Sequence, residues 1–466
     1  MSGRYGYHRD ELYFLQAGQH LAFGYLDQPP LTPLLARAAL ELFGDSLVGL
    51  RLASALTAGV VVLVTGLIAR EFGGGRNSQV LAAGCIAVSA ILLAVGHLLS
   101  TSTFDFLAWT ALSWLVVRAL RDSGRSWLAV GLVAGIALQN KSLVAFLLAG
   151  LAIGLLVAGP RAAMRNPWPW AAAAIALMLW APNLVWQAVH GWPQLELSAA
   201  IAAGGSGTSE PWWSFLPFQL VLISPLLVPV WAAGLWRLAR DPGLRTYRAF
   251  AVAYPLLAVV FMVTGGKPYY LAGLYPVLLA AGAEPTLRWA RGGMSGIRRD
   301  VMLSGVVSAV LMLPLLPVQH LADTPIVAIN YDAGETVGWP AFARTVAGVH
   351  AGLPTAERDS AIVFTRNYGQ AGAVDRYGAE LGLPPAYSGH NSYAEWGPPP
   401  ETAAEPTIVI GYERDQLEQW FGSVEEAARI DNGVGLENDE QGTPVWVCGE
   451  RLAPWARLWP QLRHLG

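Results

Sequence analysis

Residues 48–69 read VGLRLASALTAGVVVLVTGLIA, an apolar run closed by Arg70. A helix rises about 1.5 Å per residue, so a run of about 20 residues crosses the roughly 30 Å hydrocarbon core of a bilayer. About ten segments of spanning or near-spanning length recur along the chain. They lie near 48–69, 78–99, 103–120, 126–139, 142–158, 168–187, 213–236, 248–264, 269–287 and 300–317. Pro182 and Pro225 fall inside segments and predict kinks rather than breaks, because neighbouring helices can re-satisfy the freed carbonyls. Residues 31–43 (LTPLLARAALELF) are too short to span and read as an interfacial amphipathic helix.

Composition agrees. The 466 residues are 54% hydrophobic and only 14% charged, where soluble domains run near roughly 25%. Mean hydropathy is +0.40. Nineteen tryptophans suit interfacial belts, where an amphipathic ring keeps one wet end. A net charge of −3 gives no reason to expect a nucleic-acid partner. Cys85 and Cys448 form no disulfide framework. Residues 1–30 are polar and aromatic and lack the apolar core of a cleavable signal peptide.

Charge sets the orientation. Alternate loops carry Arg70 and Arg76; Arg118, Arg121 and Arg125; Arg161 and Arg165; Arg237, Arg240, Arg245 and Arg248; and Arg288, Arg291, Arg298 and Arg299. The opposite loops, around 100–104, 140–141, 188–212 and 265–268, contain no arginine. The positive-inside rule makes the first set cytoplasmic and places residues 1–47 and everything after 318 outside. Beyond about 320 the apolar runs shorten to strand length (Ile326–Ile329, Ala361–Thr365, Thr407–Gly411, Pro444–Cys448). They alternate with helical patterns at 339–351, 369–381 and 413–428, which predicts an α/β domain. The expected architecture is mainly α: an extracytoplasmic loop with an interfacial helix (1–47), a polytopic membrane bundle (48–320) and an extracytoplasmic α/β domain (321–466).

The chemistry gathers on the outer side. His8-Arg9-Asp10-Glu11 and Gly24-Tyr25-Leu26-Asp27-Gln28-Pro29-Pro30 set ionisable side chains beside aromatics and a rigid Pro-Pro. A polar juxtamembrane loop would have the same composition. Only two of the 30 basic residues are lysines, Lys141 and Lys267, and both fall in loops otherwise empty of positive charge. Lysine is a point charge well suited to phosphate, although two interfacial lysines snorkelling to water would look alike. Lys267 stands in Gly-Gly-Lys-Pro-Tyr269-Tyr270, where two hydroxyls flank the ammonium.

Asp105 opens the third segment. A carboxylate inside a spanning helix is costly and marks a functional candidate, while a first-turn acid using the helix dipole is the plainer alternative. Asn183, in Ala-Pro-Asn-Leu-Val-Trp-Gln, wants a hydrogen-bond partner, either another helix or a sugar hydroxyl. Asn367-Tyr368-Gly369 and Ser388-Gly389-His390-Asn391-Ser392-Tyr393 read as structured turns or as ligand loops. His390 and the nearby acids lack metal-ligand spacing.

Taken together, these residues resemble bacterial glycosyltransferase family 39, relatives of protein O-mannosyltransferases and of the aminoarabinose transferase acting on lipid A. The resemblance rests on the Asp-Glu pair, Gly-Tyr-x-Asp-Gln-Pro-Pro-Leu and Phe-Gly-Asp-Ser-x-x-Gly-x-Arg-Leu (Phe43 to Leu52). It extends through Ala-Pro-Asn-Leu-x-Trp-Gln, Gly-Lys-Pro-Tyr-Tyr-Leu and Tyr-Ser-Gly-His-Asn-Ser-Tyr. It implies a GT-C fold and transfer of a sugar from a polyprenyl-phosphate donor to a glycan, lipid or protein acceptor at the outer face of a bacterial inner membrane. It also implies roles. Asp10 would be the base, with Glu11 and Asp105 supporting it. Lys141 and Lys267 would hold the lipid phosphate, and Asp27 and Gln28 would line the same cavity. Asn183, Tyr269, Tyr270, His390 and Asn391 complete the expected substrate-binding set. A divalent cation could sit beside the phosphate, although no ligand set is spelled out. The resemblance further implies a spanning helix before the Asp-Glu pair, where this sequence has nine residues, and so about eleven spans in all. A multi-pass transporter or flippase of a lipid-linked sugar is the competing reading. The absence of an internal repeat in the sequence weighs against it, as does the gathering of acids and lysines on one face.

Overall fold

The computed structural model describes residues 3–122, 124–204, 211–290, 294–401 and 406–465. Arg291 and part of the loop at 188–212 lie outside the described residues. The chain forms two compact units: one of Gln28–Thr32 and Arg51–Leu313, the other of the residues up to Asp27 with Pro33–Leu50 and Pro314 onward.

The first unit is a bundle of apolar helices. Among the described residues, three helices are long and apolar enough to cross a membrane: Leu47–Glu71, Pro167–Val189 and Pro242–Val263. Two bent pairs raise the number to five: Arg76–Ala87 with Ala90–Gly96, bent by 62°, and Trp212–Ile223 with Pro225–Arg240, bent by 83°. Ser126–Leu138 and Leu143–Val157 are shorter apolar helices. The two prolines behave differently. Pro182 sits inside a continuous helix. At Pro225 the expected kink is a full break, because proline lacks an N–H and drives the preceding residue out of the α region; Ser224 lies at φ 82°.

Glycines draw these helices together. Without a hydrophobic force between helices in lipid, small residues that let backbones approach are the usual device. Gly131 and Gly135, one turn apart on Ser126–Leu138, face Ala172 and Ala176 of Pro167–Val189, and a Cβ on Gly131 would sit 2.5 Å from the Ala172 carbonyl. Gly150 and Gly154 meet Leu257 and Ala249 in the same way. Closest of all are Val228–Arg240 and Tyr275–Trp289. A Cβ on Gly234 or Gly282 would fall 1.8 Å from the facing carbonyl of Leu278 or Val230.

The second unit is built on a five-stranded sheet: β1 (Ile362–Thr365), β2 (Ala386–Ser388), β3 (Thr407–Ile410), β4 (Phe421–Arg429) and β5 (Pro444–Arg451), in the order β2-β1-β3-β5-β4. β2, β1 and β3 run parallel; β5 is antiparallel to both β3 and β4. Phe364, Val409, Tyr412, Trp446 and Trp455 fill one face. Helices at Trp339–Gly352 and Tyr368–Tyr377 match the expected patterns.

Three expectations fail here. Ile326–Ile329 is a helical turn, not a strand; a four-residue apolar run cannot be told from a buried helical turn by periodicity. In 413–428 only Arg414–Leu417 is helical before the chain enters β4. There Glu and Ala favour helix by propensity, but pairing with β5 and burial of Phe421 and Val424 prevail. Residues 1–47 are not a plain loop ahead of Leu31–Phe43, because Arg9–Gln19 is an α-helix. Its start is a capping box: His8 Nδ1 accepts the Asp10 N–H at 3.1 Å, and Glu11 Oε2 accepts the His8 N–H at 2.9 Å. It packs on Tyr368–Tyr377 through Gly369 and Gly372, where a Cβ would come within 2.9 Å of Arg9 and Leu12.

Candidate active-site clusters

In the sheet-bearing unit, the chemistry collects at the carboxyl ends of β1 and β2, the edge where parallel α/β sheets place their sites. Asp10 stands in the first turn of Arg9–Gln19, where the helix dipole favours a carboxylate. Its Oδ1 accepts the Tyr368 hydroxyl at 2.8 Å, and the Arg9 guanidinium lies 3.8 Å away. Arg9 is itself braced by Glu335 at 3.4 Å and Asp439 at 3.3 Å. Burial pushes Glu335 up to about 7 even with Arg9 beside it. Glu11 is fully buried in the cap, so it orients the turn that carries Asp10.

A second carboxylate repeats the arrangement. Asp27 Oδ1 accepts the Tyr13 hydroxyl at 2.7 Å and the Ser392 hydroxyl at 3.5 Å. Burial pushes Asp27 up to about 6, and the charge of Asp10 adds to the rise. The rings of Tyr13 and Tyr368 pack 4.7 Å apart. His390 is buried and serves this cluster: its Nδ1 accepts the Tyr368 N–H at 3.3 Å, and its ring packs against Tyr368 and His464. Asn391 takes a left-handed conformation, φ 48°, which turns the chain so that Ser392 meets Tyr13 and Asp27.

In the helical unit, Lys141 is the centre. Its ammonium donates to Ser102 Oγ at 3.1 Å and lies over the rings of Tyr269 and Tyr270, 5.4 and 5.2 Å from their centroids. It is also the cation whose charge bears on Asp105. Asp105 is buried in Thr101–Ala119, and its Oδ1 has no hydrogen-bond partner among the described residues. The neighbouring Asn140 ties the cluster together, accepting from Thr32 at 2.7 Å and donating to the Thr101 carbonyl at 2.8 Å. The Leu31 N–H meets the Gln139 carbonyl at 2.8 Å. Gln28 is buried with its Nε2 unpartnered among the described residues.

Lys267 has different surroundings. It lines an open groove whose walls include Trp212, Phe215, Met262 and Val263. Asn183 is buried on the helix face it shares with Gln187, one turn on. Among the described residues no three His, Cys, Asp or Glu side chains form a metal-binding group. The sequence marks Tyr368 and Ser392 only within segments that read as turns or ligand loops, and does not single out Tyr13 or Asn140, whose hydrogen-bond partners Asp27 and Thr32 lie 14 and 108 residues away. The one local signal was Asn367-x-x-Gln370, a capping box that marks the helix start carrying Tyr368.

Residues 27–186 match the family model described as dolichyl-phosphate-mannose-protein mannosyltransferase. An undecaprenyl phosphate-α-4-amino-4-deoxy-L-arabinose arabinosyl transferase from Pseudomonas fluorescens (strain Pf0-1) is 25% identical, over 69% of this chain and 60% of the relative. A second such transferase from the same strain is 27% identical over 63% and 56%. The chain thus spans about 60% of the length of the curated relatives it matches. Among solved structures, ArnT from Cupriavidus metallidurans bound to undecaprenyl phosphate superposes with a TM-score of 0.58 at 15% identity, covering 96% of this chain and 95% of that one. That likeness shows the fold, and the apolar helices accord with it as those of a multi-pass membrane protein. The chain is thus similar in sequence to aminoarabinose transferases over part of its length and shares the fold of the membrane protein ArnT.

Proposed function

We propose that the chain is a membrane glycosyltransferase that moves a sugar from a polyprenyl-phosphate donor to an acceptor hydroxyl. It would lie in a bacterial inner membrane with residues 321–466 outside, an orientation supported by the arginine asymmetry of its loops. The acceptor oxygen attacks the anomeric carbon while the bond from that carbon to the phosphate oxygen breaks. The leaving lipid phosphate keeps the bonding pair, and the acceptor's proton passes to Asp10.

Lys141 carries this reading. It is a single ammonium seated over two tyrosine rings beside a buried carboxylate, in a bundle whose fold has been solved with undecaprenyl phosphate. Its charge meets the phosphate, and the charge of Asp105 orients it beforehand. Lys267, with the apolar walls of its groove, suits the same amphiphilic anion. Gln28, Asn183, Tyr269 and Tyr270 supply hydrogen-bonding groups for donor sugar and phosphate. Asp27, His390 and Asn391 shape the surroundings of the base. The acceptor is a glycan, lipid or protein of the cell envelope.

The test is a host strain deleted for the gene, whose envelope is compared for a missing sugar and then complemented. Wild-type chain is expected to restore the sugar and Asp10→Asn to lower its incorporation by roughly a hundredfold or more. Full restoration by Asp10→Asn refutes the base. Translocation of an intact lipid-linked sugar, with no bond to the phosphate cleaved, would favour the transporter instead.

A further inference from the structure

We propose that Tyr368, carried by the sheet-bearing unit's own helix Tyr368–Tyr377, is the positioning residue that selects which oxygen of Asp10 accepts the proton. The proposal rests on the reading of Asp10 as the base. The phenol donates to Asp10 Oδ1 at 2.8 Å. With Oδ1 engaged, Oδ2, which lies 4.0 Å from His8 Nδ1, is the oxygen left to take the acceptor's proton.

The tyrosine is held far more firmly than filling space requires. Its ring packs against Tyr13 and His390, with centroids 4.7 Å away in each case, and lies under the Arg9 guanidinium at 5.5 Å. Its backbone N–H is fixed to His390 Nδ1. The helix start is locked again from below, where Glu440 accepts from Asn367 at 3.1 Å and from Gln370 at 2.6 Å, the two members of the capping box. Burial and the charge of Asp10 both hold the proton on the phenol, so it stays a donor.

Every packing contact of the ring would be kept by phenylalanine; only the hydroxyl singles out tyrosine, and its partner is Asp10. The same cluster contains a ready control. Tyr393 packs on Tyr13 with 6.3 Å between centroids and donates to Asp375 at 2.8 Å, the same kind of bond made to a carboxylate with no proposed role.

Tyr368→Phe, Tyr393→Phe and Asp10→Asn, and Tyr368→Phe combined with Asp10→Asn, are expressed as the full chain in the deleted strain. The rate at which the missing sugar reappears is followed by pulse labelling. Binding of undecaprenyl phosphate and the melting temperature are measured on purified protein. Tyr368→Phe is expected to slow incorporation by roughly ten- to a hundredfold, the range for a misplaced catalytic group. Lipid binding and melting temperature should match wild type, and no further loss should appear in the Asp10→Asn background. Tyr393→Phe should incorporate at the wild-type rate. A wild-type rate in Tyr368→Phe overturns the proposal. So does an equal loss in Tyr393→Phe, or an undiminished extra loss on top of Asp10→Asn. A wild-type rate in Asp10→Asn overturns the base assignment beneath it instead.

Discussion

Asn140→Ala should destabilise the helical unit by about 2–3 kcal/mol, and the reason can be worked bond by bond. The Asn140 side chain accepts from the Thr32 hydroxyl at 2.7 Å and donates to the Thr101 carbonyl at 2.8 Å. Thr32 is 0% exposed and Asn140 1%, so water cannot replace either partner. Each bond contributes about 1 kcal/mol net, and a buried hydroxyl left alone costs roughly 1–3 kcal/mol. Between membrane helices the measured couplings are smaller, averaging about 0.6 kcal/mol. Thr32→Val removes only the first bond but takes the donor from the buried Asn140 Oδ1, and should cost about 1–3 kcal/mol. Because the two side chains share that bond, the double mutant should fall short of the sum of the singles by roughly 0.5–1.5 kcal/mol. Reversible unfolding in mixed detergent micelles, run on wild type, both singles and the double, measures this coupling. Additivity within about 0.3 kcal/mol would show that the Thr32–Asn140 bond does not form in the protein. A second consequence is local. Asn140 holds the start of Thr101–Ala119 beside Lys141 and Ser102, so Asn140→Ala should weaken undecaprenyl phosphate binding as well as stability.

Gly282→Ala should abolish the folded state rather than soften it, since the new methyl would meet the Val230 carbonyl at 1.8 Å and both partners are helix backbone. Monodisperse, wild-type-like protein on detergent size exclusion would contradict that close crossing. Asp27→Asn should raise the melting temperature at neutral pH. Burial lifts the Asp27 pKa from 3.8 to about 6, so the folded protein binds that proton more tightly than the unfolded chain. Stability from this group is full below pH 3.8 and is lost as pH rises to about 6, by at most about 3 kcal/mol. The stability difference between Asp27→Asn and wild type should therefore widen from acid to neutral pH; a difference that does not change across pH 4–7 would refute the assignment.

What the sequence could reveal depended on whether a residue's role was set locally. The arginine asymmetry, the helix at Leu31–Phe43 and the pattern at 339–351 are local properties, and the last two reappear as helices. Lysine scarcity likewise pointed to Lys141, whose aromatic seat is built by Tyr269 and Tyr270 from the same motif as Lys267. The two lysines themselves part company: one is caged by rings beside a carboxylate, the other lines an open groove. Nothing in two similar loops distinguishes them before the helices pack. In 413–428, alternation and propensity disagreed, and the partner strand β5 decided between them.

The Asp-Glu pair shows the same division inside one turn of chain. Both are first-turn acids of Arg9–Gln19, but Glu11 is consumed by its own backbone through the cap, while Asp10 keeps a side chain 35% exposed and a single tyrosine on one oxygen. A carboxylate buried in a capping box has little freedom to exchange a proton with a substrate. One that is half open and fixed at one oxygen has both access and orientation. Adjacent acids of similar intrinsic basicity are thereby given different surroundings by hydrogen bonds, which fits the proposed division into an orienting residue and a reactive one. Exchanging the pair, as Asp10→Glu with Glu11→Asp, would keep the charge and shift both carboxyl groups along their chains, breaking the cap and the Tyr368 contact together. The pairing of cap with tyrosine, rather than the presence of two acids, is what makes this turn a candidate catalytic element.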